Sequence, residues 1–294
     1  MPLRSRAALV DTAPAKINLT LRVLGRRVDG YHILESLVVF AGVEDRLNFV
    51  PGGAARLAVR GGDPKVLGPT EDNLILRAAR GLSAEIGALK LGRFTLHKRL
   101  PIAAGVGGGS ADAAAALRLL ARANRLRRDD PRLFNVARTV GADVPVCVDP
   151  RPRVMRGIGE ILSAPIALPK LPAVLVNPGV AVPTKEVFRL LGRKPGSAPS
   201  RIPKARKVPR GRSELIAFLV MDRNDLEAPA IQLAPAIATV LAALREAPGC
   251  ELARMSGSGA TCFGLFTNAR AAAAAARRLK GKHPTWWVRA TLLG

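Results

Sequence analysis

Apolar and polar positions alternate strictly along residues 14–24: Ile17, Leu19, Leu21 and Val23 share one face, Lys16, Asn18, Thr20 and Arg22 the other. A period of two predicts a half-buried strand. Asp29-Gly30 is a turn signal, and residues 37–40 read as a second strand. From residue 72 the period lengthens, with Leu74, Ala78, Ala79 and Leu82 on one face of a helix over 72–86. A short strand follows over 94–97, then a glycine run, then a helix from Ala111 to about Arg125. A helix over 131–140 and an apolar strand over 144–148 come next. Proline punctuation at 165–172 marks a boundary, which predicts domains over 1–164 and 165–294. Beyond it the pattern gives a strand over 171–176 and helices over 184–191, 231–246 and 270–280. Residues 193–212 are rich in proline, glycine, serine and charge, which predicts a mobile surface loop. The mixture of strands and helices is that of an α+β protein.

Composition narrows the function classes. A chain of 294 residues, 48% apolar, can bury a large core without disulfides or a structural metal. No uninterrupted apolar run reaches the roughly 18 residues of a membrane span. The first eleven residues break off at Asp11 before forming a leader-like apolar stretch. Cys147, Cys250 and Cys262 lie far apart without metal-ligand spacing, which fits a reduced cytoplasm. The formal net charge of +24 raises nucleic acid as a partner. Against it, the arginines are scattered, and one Tyr and eight Phe make a poor stacking platform for bases. One local concentration, Arg193, Lys194, Arg201, Lys204, Arg206, Lys207, Arg210 and Arg212, falls in the proline-broken loop.

The richest chemistry lies at Pro101-Ile-Ala-Ala104-Gly105-Val106-Gly107-Gly108-Gly109-Ser110-Ala111-Asp112. Glycines admit positive φ and leave no side chain between backbone and ligand. Successive free amides and a helix start then offer a seat for a phosphate, with Ser110 as the natural N-cap. A flexible turn before a capped helix explains the same residues. The loop is neither a Walker A sequence nor Gly-x-Gly-x-x-Gly. A second glycine element, Met255-Ser256-Gly257-Ser258-Gly259-Ala260-Thr261, reads alone as a tight turn between strands and, with the first, as a second cradle. Lys16 and Asn18 share one face of the first strand, and Asp143 opens the 144–148 segment. By themselves they fit a solvated strand face and a turn carboxylate.

In combination, Pro14-Ala15-Lys16-Ile17-Asn18-Leu19, the 101–114 glycine loop and Ser256 to Ala260 resemble, in order, the three signature motifs of the GHMP kinase superfamily. Asp29-Gly30-Tyr31-His32, Gly141-Ala142-Asp143-Val144-Pro145, Asn177-Pro178-Gly179-Val180 and Pro183-Thr184-Lys185-Glu186-Val187-Phe188 resemble those members that phosphorylate a cytidine-diphosphate-linked alcohol of isoprenoid precursor synthesis. The resemblance implies a two-lobed kinase with an N-terminal ATP-binding lobe and a C-terminal substrate-binding lobe. It implies ATP and Mg²⁺ as cofactors and, for substrate, a small molecule carrying a cytidine diphosphate. It makes Lys16 and Asp143 the catalytic pair and Pro101, Ala104, Gly105, Val106, Gly107, Gly108, Gly109, Ser110 and Ala111, with Lys98, the ATP site. It places the substrate against Asn18, Tyr31, His32, Thr184 and Phe188. No metal ligand is assigned, although the Ser110 hydroxyl is a candidate. The expected assembly is a monomer or homodimer. Two positions depart from the usual motif: Ala111 lacks a second serine hydroxyl, and Val106 replaces leucine. The 193–212 loop has no counterpart in the resemblance.

Overall fold

The computed structural model describes residues 8–61, 72–102 and 104–294. The chain falls into two compact units that are interleaved in sequence. The first comprises residues up to Ala15, Glu44–Ile102 and Gly107–Pro150; the second comprises Lys16–Val43, Ala103–Val106 and Arg151–Gly294. Two long strands, β1 (Leu9–Asn18) and β3 (His32–Pro51), each run from one unit into the other. Residues 1–7, which carry most of the leader reading, and Ala103 of the glycine motif lie outside the described residues.

In the first unit the second half of β3 pairs antiparallel with β5 (Gly92–His97), from Arg46 opposite His97 to Pro51 opposite Gly92. β4 (Arg56–Arg60) lies parallel to β5. Phe49 and Phe94 face each other across the β3–β5 ladder with ring centroids 4.6 Å apart, and both are fully buried. Helix α1 (Leu74–Ile86) starts at Asn73, whose side chain accepts from the Ile75 N–H at 3.0 Å. Its buried residues Ile75, Leu76, Ala78, Ala79 and Leu82 follow the period read from the sequence. α2 (Gly108–Ala123) buries almost every residue of its alanine-leucine run. α3 (Pro131–Val140) combines an Asp130 cap with a proline in its first turn.

Residues Val144–Val148 form a one-turn helix, α4, in place of the expected strand. All five are buried, so the run carried no alternation to distinguish the two states. Pro145 decides the matter, since it fits a first helical turn and has no N–H for a strand ladder.

In the second unit β2 (Arg22–Arg26) pairs with the first half of β3, Arg22 opposite Glu35 and Arg26 opposite His32. β6 (Arg153–Gly157) flanks β3, and β7 (Ile161–Leu162) flanks β6. A second ladder contains β8 (Leu171–Asn177), β9 (Cys250–Met255), β10 (Cys262–Phe266) and β11 (Trp287–Leu293), antiparallel in the order β11-β8-β10-β9. Its helices are α5 (Thr184–Leu190), α6 (Arg212–Val220), α7 (Glu227–Leu233), α8 (Ala236–Arg245) and α9 (Ala269–Lys282). Val174, Val176, Ile237, Leu241, Met255, Phe266 and Leu279 build the core between them. The single helix expected over 231–246 is two, because Pro235 ejects Ala234 from helical geometry (φ −139°, ψ 84°).

Candidate active site

The first unit holds the glycine loop. Gly107 sits in the left-handed region at φ 61°, ψ 24°, and α2 begins at Gly108. The expected cap, Ser110, instead lies inside the first turn, because the positive φ at Gly107 lets the helix start three residues early. Gly107, Gly108 and Ser110 remain partly accessible and Gly109 is exposed, whereas Ala111 is buried. Pro101 is half-buried at the end of β5's connection.

Beneath this turn lies a buried ionic cluster. Lys98 Nζ donates to Asp45 Oδ2 at 2.6 Å and to Asp112 Oδ2 at 2.8 Å. Asp45 Oδ1 also accepts the N–H groups of Arg99 and Leu100, at 2.5 and 2.9 Å. Asp112 Oδ1 is buried without a partner. A Cβ on Gly108 would stand 3.1 Å from Lys98 Nζ, so the ammonium lies against the loop. Burial works to lower the Lys98 pKa, but the two carboxylates outweigh it and hold the ammonium above its ordinary value. Burial, opposed by Lys98 and reinforced by Asp45, lifts the Asp112 carboxyl above the usual range. Asp143, at the N-cap of α4, is half-buried in the same unit.

The second unit holds Lys16, Asn18, Ala104, Gly105 and Val106 and the residues expected to touch substrate. The polar face of the first strand is not solvated: Lys16, Asn18 and Thr20 are each at most 3% exposed. Several backbone N–H groups along this segment find partners outside the β1–β3 pairing. Lys16 N–H donates to Val106 O at 2.9 Å, Asn18 N–H to Ser256 Oγ at 3.1 Å, and Leu21 N–H to Arg223 O at 2.9 Å. Ser36 Oγ donates to Thr20 O at 2.5 Å and accepts from Asn18 Nδ2 at 2.7 Å. Since its one proton is committed to a carbonyl, Ser36 fixes the Asn18 amide with Oδ1 as the remaining, unpartnered acceptor. Gly105 has a packing role: at φ 70°, its missing Cβ would meet Ser256 O at 2.5 Å and Gly259 O at 2.7 Å. The two glycine loops therefore touch backbone to backbone here, and Ala104 and Val106 on either side of Gly105 are buried.

His32 and Phe188 stack on each other, ring centroids 4.5 Å apart and planes 27° from parallel. His32 comes from the start of β3 and Phe188 from α5. Burial, then the charges of Arg26 and Arg193, hold the imidazole below its ordinary pKa, and its Nε2 is buried without a partner. Tyr31 beside it is 59% exposed. Thr184 Oγ1 lies 2.7 Å from Ser258 Oγ, which ties α5 to the second glycine loop.

Two family models match the chain: the GHMP kinases N terminal domain over residues 73–149 and GHMP kinases C terminal over 209–284. A protein of Methylobacterium radiotolerans named 4-diphosphocytidyl-2-C-methyl-D-erythritol kinase is 58% identical across 97% of this chain and 99% of its own length. This chain belongs to that kinase family. A kinase of the same name from Xanthobacter autotrophicus is 55% identical across 96% of this chain and 97% of its own length. The crystal structure of a 4-(cytidine 5'-diphospho)-2C-methyl-D-erythritol kinase superposes with a TM-score of 0.76 at 36% identity, covering 97% of this chain and 99% of that one. The α+β class and the kinase assignment read from the sequence are thereby borne out. Among the described residues, no helix of this kinase is long and apolar enough to cross a membrane.

Sequence reasoning missed several residues that shape these sites. Asp45 had no distinguishing motif. Asp112 did leave a signal, as a lone carboxylate in an alanine-rich helix whose neighbours are all buried. Ser36 left none, because its role depends on where Thr20 and Asn18 end up.

Proposed function

We propose that this kinase transfers the γ-phosphoryl group of ATP to the 2-hydroxyl of 4-diphosphocytidyl-2-C-methyl-D-erythritol, in the methylerythritol phosphate route to isoprenoid precursors, within the cytoplasm. The supporting observation is near-full-length identity of 58% to a kinase of that name. His32 and Phe188, which lie against each other in the second unit, supply flat faces of the kind on which a pyrimidine stacks.

On this reading Asp143 accepts the hydroxyl proton as the new phosphoryl bond forms. A carboxylate is too weak a base to strip an alcohol beforehand, but it can orient the hydroxyl and take the proton in the transition state. Lys16 offsets charge building on the transferring group. The amides of Gly107, Gly108 and Gly109, at the start of α2, hold ATP phosphates with the help of its dipole. Lys98 supports this turn from below, tied to Asp45 and Asp112. Asn18 Oδ1 and Thr184 receive the alcohol portion, and Tyr31, His32 and Phe188 the cytidine. Mg²⁺ has the Ser110 hydroxyl as a candidate ligand, with phosphate and water oxygens supplying the others. It would neutralise phosphate charge.

The test is ATP consumption with the cytidine-diphosphate alcohol, mevalonate and homoserine offered separately. Turnover with the first alone is expected; equal turnover of another alcohol would overturn the substrate assignment.

A further inference from the structure

Asn224 is buried in the turn between α6 and α7. Its Nδ2 donates to Met255 O at 2.9 Å and to Gly257 O at 2.8 Å, and its Oδ1 accepts the Leu226 N–H at 2.9 Å. Two carbonyls need a donor and one N–H needs an acceptor, so a single orientation of the amide satisfies all three. The turn is itself anchored at the approach to β2. Leu21 N–H donates to Arg223 O at 2.9 Å, Asp225 N–H to Leu21 O at 2.8 Å, and Val23 N–H to Asp225 Oδ2 at 2.7 Å.

The carbonyls that Asn224 gathers open the second glycine loop. Met255 ends β9, and Gly257 has φ 58°. In an extended strand the carbonyls of residues two apart stand about 6.6 Å from each other, too far for one nitrogen to bond both. The chain therefore bends at Ser256, and the Asn224 amide holds the bend. Two residues expected to receive the alcohol lean on that bend. A Cβ on Gly257 would stand 3.4 Å from Asn18 Oδ1, the unpartnered acceptor, and Ser256 Oγ accepts the Asn18 N–H. On the other side, Ser258 Oγ lies 2.7 Å from Thr184 Oγ1.

We propose that Asn224 is a positioning residue for phosphoryl transfer: by gathering Met255 O and Gly257 O it fixes the loop against which Asn18 and Thr184 are set. This deepens the proposed function and rests on it, because Asn18 and Thr184 receive the alcohol on that reading. Asn224 acts through Gly257 and Ser258, without touching the substrate. Glu227 supplies a comparison in the same neighbourhood. Its Oε2 accepts the Met255 N–H at 2.8 Å, so it holds the end of β9 rather than the bend.

The test uses the full-length enzyme as wild type, Asn224→Asp, Asn224→Ala, Ser258→Ala and Glu227→Ala. Asn224→Asp keeps the size of the side chain and the acceptor for Leu226, but turns an oxygen toward the two carbonyls. Steady-state constants are measured for ATP and for the cytidine-diphosphate alcohol, with a thermal melt of each variant. In both Asn224 variants kcat/KM for the alcohol should fall about tenfold, while KM for ATP stays within about twofold. Glu227→Ala should lower the melting temperature and leave the constants for both substrates within about twofold. Wild-type alcohol constants in the folded Asn224 variants would overturn the proposal. So would equal losses for ATP and alcohol, or a loss in Glu227→Ala that matches theirs at equal thermal cost. Ser258→Ala, at a partly exposed position, breaks the link to Thr184 and should lower kcat/KM for the alcohol about threefold or more. It decides the question if neither Asn224 variant folds, and an unchanged constant there would overturn the proposal as well. An inactive wild type would instead sink the proposed function, so the two failures are told apart.

Discussion

Lys98 Nζ stands 2.6 Å from Asp45 Oδ2 and 2.8 Å from Asp112 Oδ2, so one buried ammonium serves two buried carboxylates. Only one negative charge is balanced. Because the Asp112 pKa is raised on folding, the folded state binds more protons than the unfolded chain above the ordinary carboxylate range. Stability therefore falls as pH rises from about 4 toward the raised value. The Lys98 pKa is raised as well, so its contribution is full through neutral pH and declines as pH rises from the ordinary lysine value through the raised one. In Asp112→Asn the first effect disappears. Melting temperatures should show the variant gaining on wild type between pH 4 and 7; a difference that does not change with pH would contradict the assignment. Lys98→Met leaves both carboxylates without their ammonium and should cost about 3–5 kcal/mol in denaturant unfolding.

Asp143→Asn keeps the shape of the α4 N-cap and removes the proposed base. Phosphoryl transfer should fall by about 10²–10⁴-fold, with ATP affinity nearly unchanged. Single-turnover rates and nucleotide titration measure the two separately, and near-normal transfer in folded Asp143→Asn would remove it from the mechanism.

Gly107 adopts φ 61°, which a side chain makes costly, and a Cβ on Gly108 would stand 3.1 Å from Lys98 Nζ. Gly107→Val or Gly108→Val should weaken ATP binding at least tenfold if the loop cradles phosphate, since a carbon would stand where an oxygen approaches. Calorimetry on the folded variants checks it. Unchanged affinity would mean the cradle lies elsewhere. Gly105→Val is expected to behave differently and to lose stability, because its Cβ would collide with the backbone of Ser256 and Gly259.

Ser36→Ala removes the group that orients the Asn18 amide. The amide is then free to turn, and Oδ1 is no longer assured as the acceptor. If that oxygen receives a substrate hydroxyl, kcat/KM for the alcohol should fall about tenfold, the value of one hydrogen bond, with KM for ATP unaffected. Ser36→Thr, which restores the hydroxyl, should recover most of the loss; absence of rescue would point to simple packing.

His32→Ala and Phe188→Ala each remove one ring of the stacked pair. KM for the cytidine-diphosphate alcohol should rise about ten- to a hundredfold while KM for ATP is spared. Parallel rises in both constants would mean that the rings only pack.

Much of this was legible in the chain. The 3.6-residue period located α1, α3 and α9 to within two residues, since each has one buried face and its own cap, Asn73, Asp130 or Asn268. The glycine run announced a tight approach of backbone to something. What it could not say was which glycine approaches what: Gly107 shapes the helix start, while Gly105 packs against a loop about 150 residues away in sequence. The 193–212 segment shows the opposite failure. Its composition predicts a mobile surface loop, and it is irregular, but Arg206 within it meets a buried glutamate.

The sequence by itself determined the local elements, the order of the motifs and the family, because these rest on short-range period, backbone permissiveness and residue identity. Only the tertiary structure decided that Val144–Val148 coils, that the polar face of Lys16, Asn18 and Thr20 is buried, and that Lys98 belongs to Asp45 and Asp112. A buried polar group must find a partner, and the partner is chosen by what folding brings within about 3 Å, at separations no local pattern encodes.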